Sequence, residues 1–142
     1  MLRKSSKLFC LLLAILLLMG VTVNAEQPII VFLDGWQMQF DVQPTIIDGR
    51  IMIPMRVIFE GLGAEVEWDS STRTITAIRG DLVIQTTVDE KIIDVGGSTV
   101  TMDVAPKIID GRTFVPIRFV SESVGANVEW DSNTRTITIT SP

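Results

Sequence analysis

Alternating apolar and polar residues fill most of the chain after residue 28 and predict a domain made largely of short strands. Ile29 to Leu33, then Asp34-Gly35, then Trp36 to Val42 is the pattern of a tight hairpin, because Asp-Gly accepts the positive φ of a two-residue turn. The pattern therefore predicts antiparallel pairs joined by short turns. Three further turns have similar chemistry, at Asp48-Gly49, Gly96-Gly97 and Asp110-Gly111.

Two short stretches, Met55 to Leu62 and Ile117 to Val124, have helical periodicity instead, with apolar residues on one face. Pro54 and Pro116 precede them, and since proline suits the first helical turn but cannot donate to a strand ladder, each helix should begin directly after a strand. Alternating segments elsewhere predict strands at Val66-Glu67-Trp68, Arg73 to Ile78, Asp81 to Thr87, Glu90 to Val95, Val128-Glu129-Trp130 and Arg135 to Thr140.

The chain contains an internal sequence repeat with a constant offset of 62 residues. Pro44 to Ala77 aligns with Pro106 to Ile139 without a gap, and 21 of the 34 aligned positions are identical. The register continues upstream more weakly, so a first unit spans roughly residues 30–78 and a second unit roughly residues 92–140. One unit has little core of its own. We therefore predict one α+β domain, mostly antiparallel strands with one short helix per repeat, in which two pseudo-symmetric repeats pack together.

The first 25 residues follow a different pattern, with a basic start, an apolar run from Leu8 to Val23 and then Asn24-Ala25. This order is typical of a secretory signal peptide, so we expect a signal peptide at 1–25 and a domain at 26–142. An uncleaved membrane anchor is the alternative, because the run is about as long as the shortest spanning helices. Cleavage after Ala25 would leave no stable membrane span and a secreted protein, extracellular or associated with the cell wall.

Composition then excludes several kinds of chemistry. The chain has 12 Lys and Arg, 17 Asp and Glu, one Cys, no His and no Tyr. Without His it cannot build a Ser-His-Asp triad or a His-ligated metal site. Residues 26–142 exclude Arg3, Lys4 and Lys7. They contain 9 basic and 17 acidic side chains, which gives a formal net charge of −8. Since binding to phosphates needs a basic stripe, nucleic acid is not an expected partner.

Both units carry the motif P-x-I-I-D-G-R, followed at the same spacing by G-A-x-V-E-W-D and T-R-T-I-T. In these motifs the chain resembles the copper amine oxidase N-terminal-like domain, or stalk domain, of secreted bacterial proteins, over essentially all of residues 30–140. The resemblance implies a non-catalytic accessory module that serves for attachment or spacing at the cell envelope. It implies no catalytic residue and no cofactor, because the His ligands and the Tyr-derived quinone of the oxidases have no counterpart here.

Charged pairs on the two predicted helices are the first candidate site residues. An Arg and a Glu lie four residues apart in each unit: Arg56 with Glu60, and Arg118 with Glu122. We favour a structural role, either an intrahelical ion pair or an Arg that ties its helix to Asp69 or Asp131, because the residues recur in both units. The functional alternative is a clamp for a carboxylate or a phosphate. Asp69 and Asp131 should cap their own turns, since they lack the spacing of a calcium loop.

The three tryptophans are the second group of candidates. Trp68 and Trp130 occupy equivalent positions, so we expect them to pack on the helices as core or rim residues. Trp36 aligns with Ser98 and is outside any shared core requirement, which makes it the candidate contact for a ligand such as a wall sugar.

These observations predict a non-enzymatic cell-envelope module that acts as a stalk, spacer or protein-interaction domain. Its expected partner is a cell-wall component or another envelope protein. The alternative is a module that binds peptidoglycan or another wall polysaccharide. An exposed edge at the C-terminal Thr-Ile-Thr-Ile strand would also permit a homodimer.

Overall fold

The structure is a computed structural model that describes residues 25–142. The predicted signal peptide, with Cys10, lies outside the described residues except for Ala25. Within residues 25–142, none of the helices has the length and apolar character needed to cross a membrane.

Strands dominate the described part of the chain, and two helices of two turns each interrupt them. The strands are β1 Ile30–Leu33, β2 Trp36–Gln37, β3 Thr45–Ile47, β4 Arg50–Pro54, β5 Glu65–Asp69, β6 Thr74–Arg79, β7 Leu82–Thr87, β8 Ile92–Val95, β9 Ser98–Thr101, β10 Lys107–Ile109, β11 Arg112–Pro116, β12 Asn127–Asp131 and β13 Thr136–Thr140. The helices are α1 Met55–Gly61 and α2 Ile117–Ser123. The predicted α+β class, mostly antiparallel strands with short helices, is confirmed.

The hairpin turns have the backbone geometry that their sequence predicts. Asp34 and Gly35 have φ of 49° and 85°, and Asp48 and Gly49 have φ of 49° and 73°. Both central residues are therefore left-handed, as a type I′ turn requires. The strand after the first turn is shorter than predicted, because β2 ends at Gln37 and the chain bends away before Val42.

Each helix begins directly after the proline that ends the preceding strand, as predicted. The first helix ends in a Schellman motif: the amide of Gly63, at φ 82°, donates to Glu60 O at 3.0 Å, and the amide of Ala64 donates to Phe59 O at 2.9 Å. The second helix ends with the same pair of bonds around Gly125. The motif needs a left-handed residue after the helix, which is why glycine stands there in both units.

The strands form three sheets. The terminal sheet has the order β12-β13-β1-β2, the hairpin sheet has the order β10-β11-β4-β3, and the five-stranded sheet runs from β5 to β9 in chain order. One pair departs from the antiparallel pattern, since β1 lies parallel to β13, with Ile30 opposite Thr136 and Leu33 opposite Ile139. The pairing brings residues that are more than 100 positions apart in the sequence into one sheet. Because β13 lies between β12 and β1, the exposed edge predicted for the C-terminal Thr-Ile-Thr-Ile strand is wrong.

Apolar residues from both units form the main core, which includes Ile58 and Phe59 of α1 and Val120 of α2. The two faces of the hairpin sheet are both buried at its centre. Ile53 and Val115 belong to the main core, while the next residues along each strand, Met52 and Phe114, pack with Val104 in a second cluster. The hairpin sheet is thus held between two apolar layers, and it positions the surface described next.

A candidate interaction groove

A groove of about 810 Å³ opens beside the first helix. We call it the first groove; it lies between the start of α1, strand β5 and the turn that joins β10 to β11. Its lining combines apolar side chains with a few charged groups and comes from both units. The lining residues are Gln39, Asp41, Pro54, Met55, Arg56, Val57, Val66, Trp68, Ile75, Ile108, Gly111, Arg112 and Thr113.

Arg56 lies at one side of the first groove, in the first turn of α1. Its Nη1 donates to Glu60 Oε1 at 3.3 Å and to the main-chain oxygen of Val66 at 2.9 Å. The arginine therefore ties the helix to β5 through a carbonyl, and Asp69 is bonded within its own turn instead. In the second unit no ion pair joins Arg118 to Glu122 among residues 25–142, although the two have the same spacing.

Arg112 reaches the first groove from the other unit. Its Nε donates to Asp41 Oδ2 at 3.0 Å, and its Nη2 donates to the same oxygen. The hydrogen bond from Arg112 is the main reason why the pKa of Asp41 lies below its ordinary value. The aligned residues make the reciprocal pair, since Arg50 Nε and Nη2 donate to Asp103 Oδ2 at 2.9 and 2.7 Å. All four side chains are about half exposed or more, so the pairs orient the arginines and add little stability.

The tryptophans occupy three different environments. Trp68 is 40% exposed and lines the first groove, whereas the aligned Trp130 is half-buried and packs against the main core. Trp36 is 81% exposed on β2, at the edge of the terminal sheet. Trp36 does not line the first groove, so the ligand contact expected at Trp36 and the groove are separate surfaces.

The acidic turns bind their own backbone. Asp69 Oδ1 accepts the amide and the hydroxyl of Ser71 at 2.9 and 2.6 Å, and Asp131 Oδ1 accepts the amide of Asn133 at 2.9 Å. The hydroxyl of Ser71 is the largest cause of the lowered pKa of Asp69. Residues 25–142 bring no three Asp, Glu or Cys side chains together in a way that could hold a metal ion, and the chain has no His.

A smaller depression of about 130 Å³ lies beside α2, and we call it the second groove. It is lined by Arg50, Thr101, Asp103, Pro116, Arg118, Phe119 and Glu122. Six of these seven residues align, at the offset of 62, with lining residues of the first groove; Glu122 aligns with Glu60, which does not line it.

Sequence reasoning found Arg56 and Trp68 but missed Asp41, Arg112 and Val57 as groove residues. Asp41 and Arg112 are 71 positions apart, and only the pairing of β4 with β11 brings their segments together. A signal for Val57 was present in the sequence, because it is one of the few aligned positions at which the two units differ strongly in size, with Phe119 in the second unit.

Comparison with known proteins places these features in a family. The family model described as the copper amine oxidase N-terminal domain matches residues 32–139. A protein from Brevibacillus choshinensis named "Protease inhibitor" is 28% identical over 78 residues, which is 55% of this chain and 24% of that protein. The chain thus spans about a quarter of the length of this relative.

Proposed function

Because the chain belongs to the copper amine oxidase N-terminal domain family, we propose that residues 26–142 form a secreted stalk domain, a spacer or protein-interaction module of the cell envelope. The N-terminal domain of this family is a non-catalytic, stalk-type domain. We extend that property to the whole chain, and we assign its site of action to the outside of the cell on the basis of the signal pattern at 1–25.

The parallel pairing of β1 with β13 carries the spacer proposal. The chain enters β1 beside the start of β13 and leaves β13 beside the end of β1, so the two exits lie at opposite ends of one strand pair. A force that pulls these exits apart slides the two strands past each other. All hydrogen bonds of the pair then resist together, whereas a force that peels strands apart breaks the bonds one after another.

Further contacts hold both ends of this strand pair. The amide of Ile30 donates to Arg135 O at 3.0 Å, and the amide of Asp34 donates to Ile139 O at 2.9 Å. Beyond the last strand, the Asp34 carboxylate accepts the amide and the hydroxyl of Ser141 at 2.9 and 2.7 Å. The pair is therefore bonded along its whole length, as a load-bearing connection would need.

We also propose that the two units are arranged as a pseudo-symmetric pair within one domain. The register of β4 and β11 supports this arrangement, because Ile53 faces Val115 and these two residues align at the offset of 62. Exchanging each residue for its aligned partner leaves the register unchanged, since Met52 faces Pro116 and Pro54 faces Phe114. The reciprocal Arg–Asp pairs described above obey the same exchange.

Single-molecule force measurements test the spacer proposal. In a Cys10→Ser background, handles at Gln27→Cys and at a cysteine added after Pro142 load the strand pair in shear. Handles at Trp36→Cys and at the same added cysteine load it from one end only. We expect a clearly higher unfolding force in the first geometry, and equal forces in both would contradict a load-bearing spacer.

Binding to a wall polysaccharide is the second candidate function, and the 81% exposure of Trp36 favours it. Most of the flat aromatic surface of this side chain is not packed within the fold and can therefore stack on a sugar ring. Sedimentation of the protein with purified insoluble wall tests this function. The protein should pellet with the wall and Trp36→Ala should not; equal pelleting of both would remove Trp36 as the contact.

A further inference from the structure

The two grooves occupy aligned positions, but only the first is open. The first groove measures about 810 Å³ and the second about 130 Å³. Of the aligned apolar side chains that line both grooves, one pair differs strongly in size: the first unit has Val57 and the second has Phe119. The second unit thus carries an aromatic ring where the first unit leaves space.

The strand residues of the first unit are also more exposed than the aligned residues of the second unit. Val66 is half-buried and Trp68 is 40% exposed in the first unit, whereas Val128 is buried and Trp130 is half-buried in the second. Phe119, Val128 and Trp130 all belong to the main core or pack against it. The first groove therefore exposes apolar surface to water, whereas the second unit covers the aligned surface with its own side chain. Covering the exposed surface with a partner would be favourable.

The charges at the first groove indicate what else a partner carries. The guanidinium groups of Arg56 and Arg112 both line it; Asp41, the partner of Arg112, lines it too, whereas Glu60, the partner of Arg56, lies outside the lining. Both arginine side chains are about half exposed. In the second groove both carboxylates, Asp103 and Glu122, belong to the lining together with the two arginines. A carboxylate next to the first groove would therefore meet complementary charge.

We propose that the first groove binds a segment of a partner polypeptide that presents an aromatic side chain next to a carboxylate. The aromatic ring takes the space that Phe119 fills in the second unit, against Val57, Val66 and Trp68. The carboxylate pairs with the guanidinium groups of Arg56 and Arg112. This binding goes beyond the spacer function, which needs only the β1–β13 pair and makes no use of the groove.

Calorimetric titration of the purified protein with a peptide tests the proposal. The probe is acetyl-Gly-Ser-Asp-Phe-Asp-Ser-Gly-amide, and its controls have Ala for Phe or Lys for both Asp. We expect binding at one site, and at least tenfold weaker binding of both controls. No binding of the probe at millimolar concentration, or equal binding of the control with Ala, would overturn the proposal.

Two variants exchange the aligned residues and locate the site. Val57→Phe places in the first groove the residue that the fold already accepts in the second, so it should fold normally and lose at least tenfold in affinity. Phe119→Val opens the second groove, and the stoichiometry should rise from one towards two, with the new site weaker because Glu122 lines it. Unchanged affinity in Val57→Phe, with its circular dichroism spectrum intact, would overturn the assignment to this groove.

Other occupants give different results in the same experiments. A second copy of the chain in the groove would appear as concentration-dependent self-association in light scattering that is lost in Val57→Phe. Competition between the peptide and soluble wall oligosaccharides would assign the groove to sugar. Either result would overturn the proposal. The spacer function is tested separately, because the unfolding force measured between position 27 and the added cysteine should be the same with Val57 and in Val57→Phe.

Discussion

Ser121 shows how a single residue affects the packing of the second unit. Its side chain is fully buried in α2, and its hydroxyl has no hydrogen-bond partner among residues 25–142. The aligned residue in the first unit is Phe59, which is equally buried and has no polar atom to satisfy. A buried hydroxyl without a partner loses its bonds to water and gains none in return.

We therefore expect Ser121→Ala to raise the free energy of unfolding by roughly 1–3 kcal/mol, measured by urea denaturation. Ser123→Ala is the matched control in the same helix, because the Ser123 hydroxyl donates to Phe119 O at 2.8 Å. The control removes a satisfied hydrogen bond and should lower the free energy of unfolding by about 0.5–1.5 kcal/mol, a change of the opposite sign. A Ser121→Ala protein that is less stable than the native one would contradict this account.

Single residues also explain where the predicted strands begin too early. The alternating pattern placed strand starts at Arg73 and Arg135, whereas β6 and β13 begin one residue later. Both arginines have left-handed backbones, with φ of 55° and 51°, and so belong to the preceding turn. The pattern of apolar residues does not report this, because the turn residues that usually carry positive φ are Gly, Asn and Asp.

At the scale of elements, the contact between α1 and the first hairpin depends on Gly61. A Cβ atom at this position would lie 2.7 Å from Leu33 Cδ2 and 3.3 Å from Met38 Cε. The aligned residues of the second unit are Ser123, Val95 and Val100, so a larger residue on the helix accompanies two smaller residues on the strands.

Gly61→Ser should therefore lower the free energy of unfolding by about 1–3 kcal/mol, the usual cost of overpacking a core. Combining it with Leu33→Val should cost less than the sum of the two single changes, because the shorter side chain makes room for the Ser Cβ. A double-mutant cycle by urea denaturation measures this coupling. Simple additivity would show that Leu33 is not what excludes a side chain at position 61.

Local chemistry explains which elements the sequence predicts and which pairings it leaves open. The hairpin turns and the strand-to-helix steps at Pro54 and Pro116 depend on residues that are adjacent in the chain, so the pattern predicts them. The parallel pair of β1 with β13 and the antiparallel pair of β4 with β11 join distant segments. They depend on which faces the whole core buries, and no local signal fixes that choice.

At the scale of the whole molecule, the candidate site also combines residues that the sequence identifies with contacts that only the fold creates. The first groove exists only because the hairpin sheet brings the β10–β11 turn of one unit against the helix of the other. Sequence alone therefore identifies individual lining residues such as Arg56 and Trp68, and it cannot show that Arg112 lies beside them. The sequence does contain the size difference between Val57 and Phe119, but only the structure of both grooves shows that this difference lies in their lining.

The response of the whole fold to pH follows from its carboxylates. The pKa values of Asp34, Asp41, Asp69 and Asp89 are all lowered; the largest causes are the hydrogen bonds from Ser141, Arg112, Ser71 and Lys107, respectively. A carboxyl group whose pKa is lower in the folded state stabilises the fold above its ordinary pKa. That stabilisation is lost as the pH falls through the lowered value. The chain has no His, so no side chain has an ordinary pKa between about 5 and 8.

We therefore expect a melting temperature that is nearly constant between about pH 8 and pH 5.5 and falls below about pH 4. Asp34→Asn should reduce the acid-induced fall, because the bonds from Ser141 to the charged carboxylate would no longer titrate. Asp48→Asn is the control, since Asp48 lies in an equivalent hairpin turn and its carboxylate accepts no hydrogen bond in the described part of the chain. Thermal unfolding followed by circular dichroism measures these differences. A melting temperature that rises on acidification from pH 5 to pH 3 would have the wrong sign, because protonation would then favour the folded state and these carboxylates could not govern its stability.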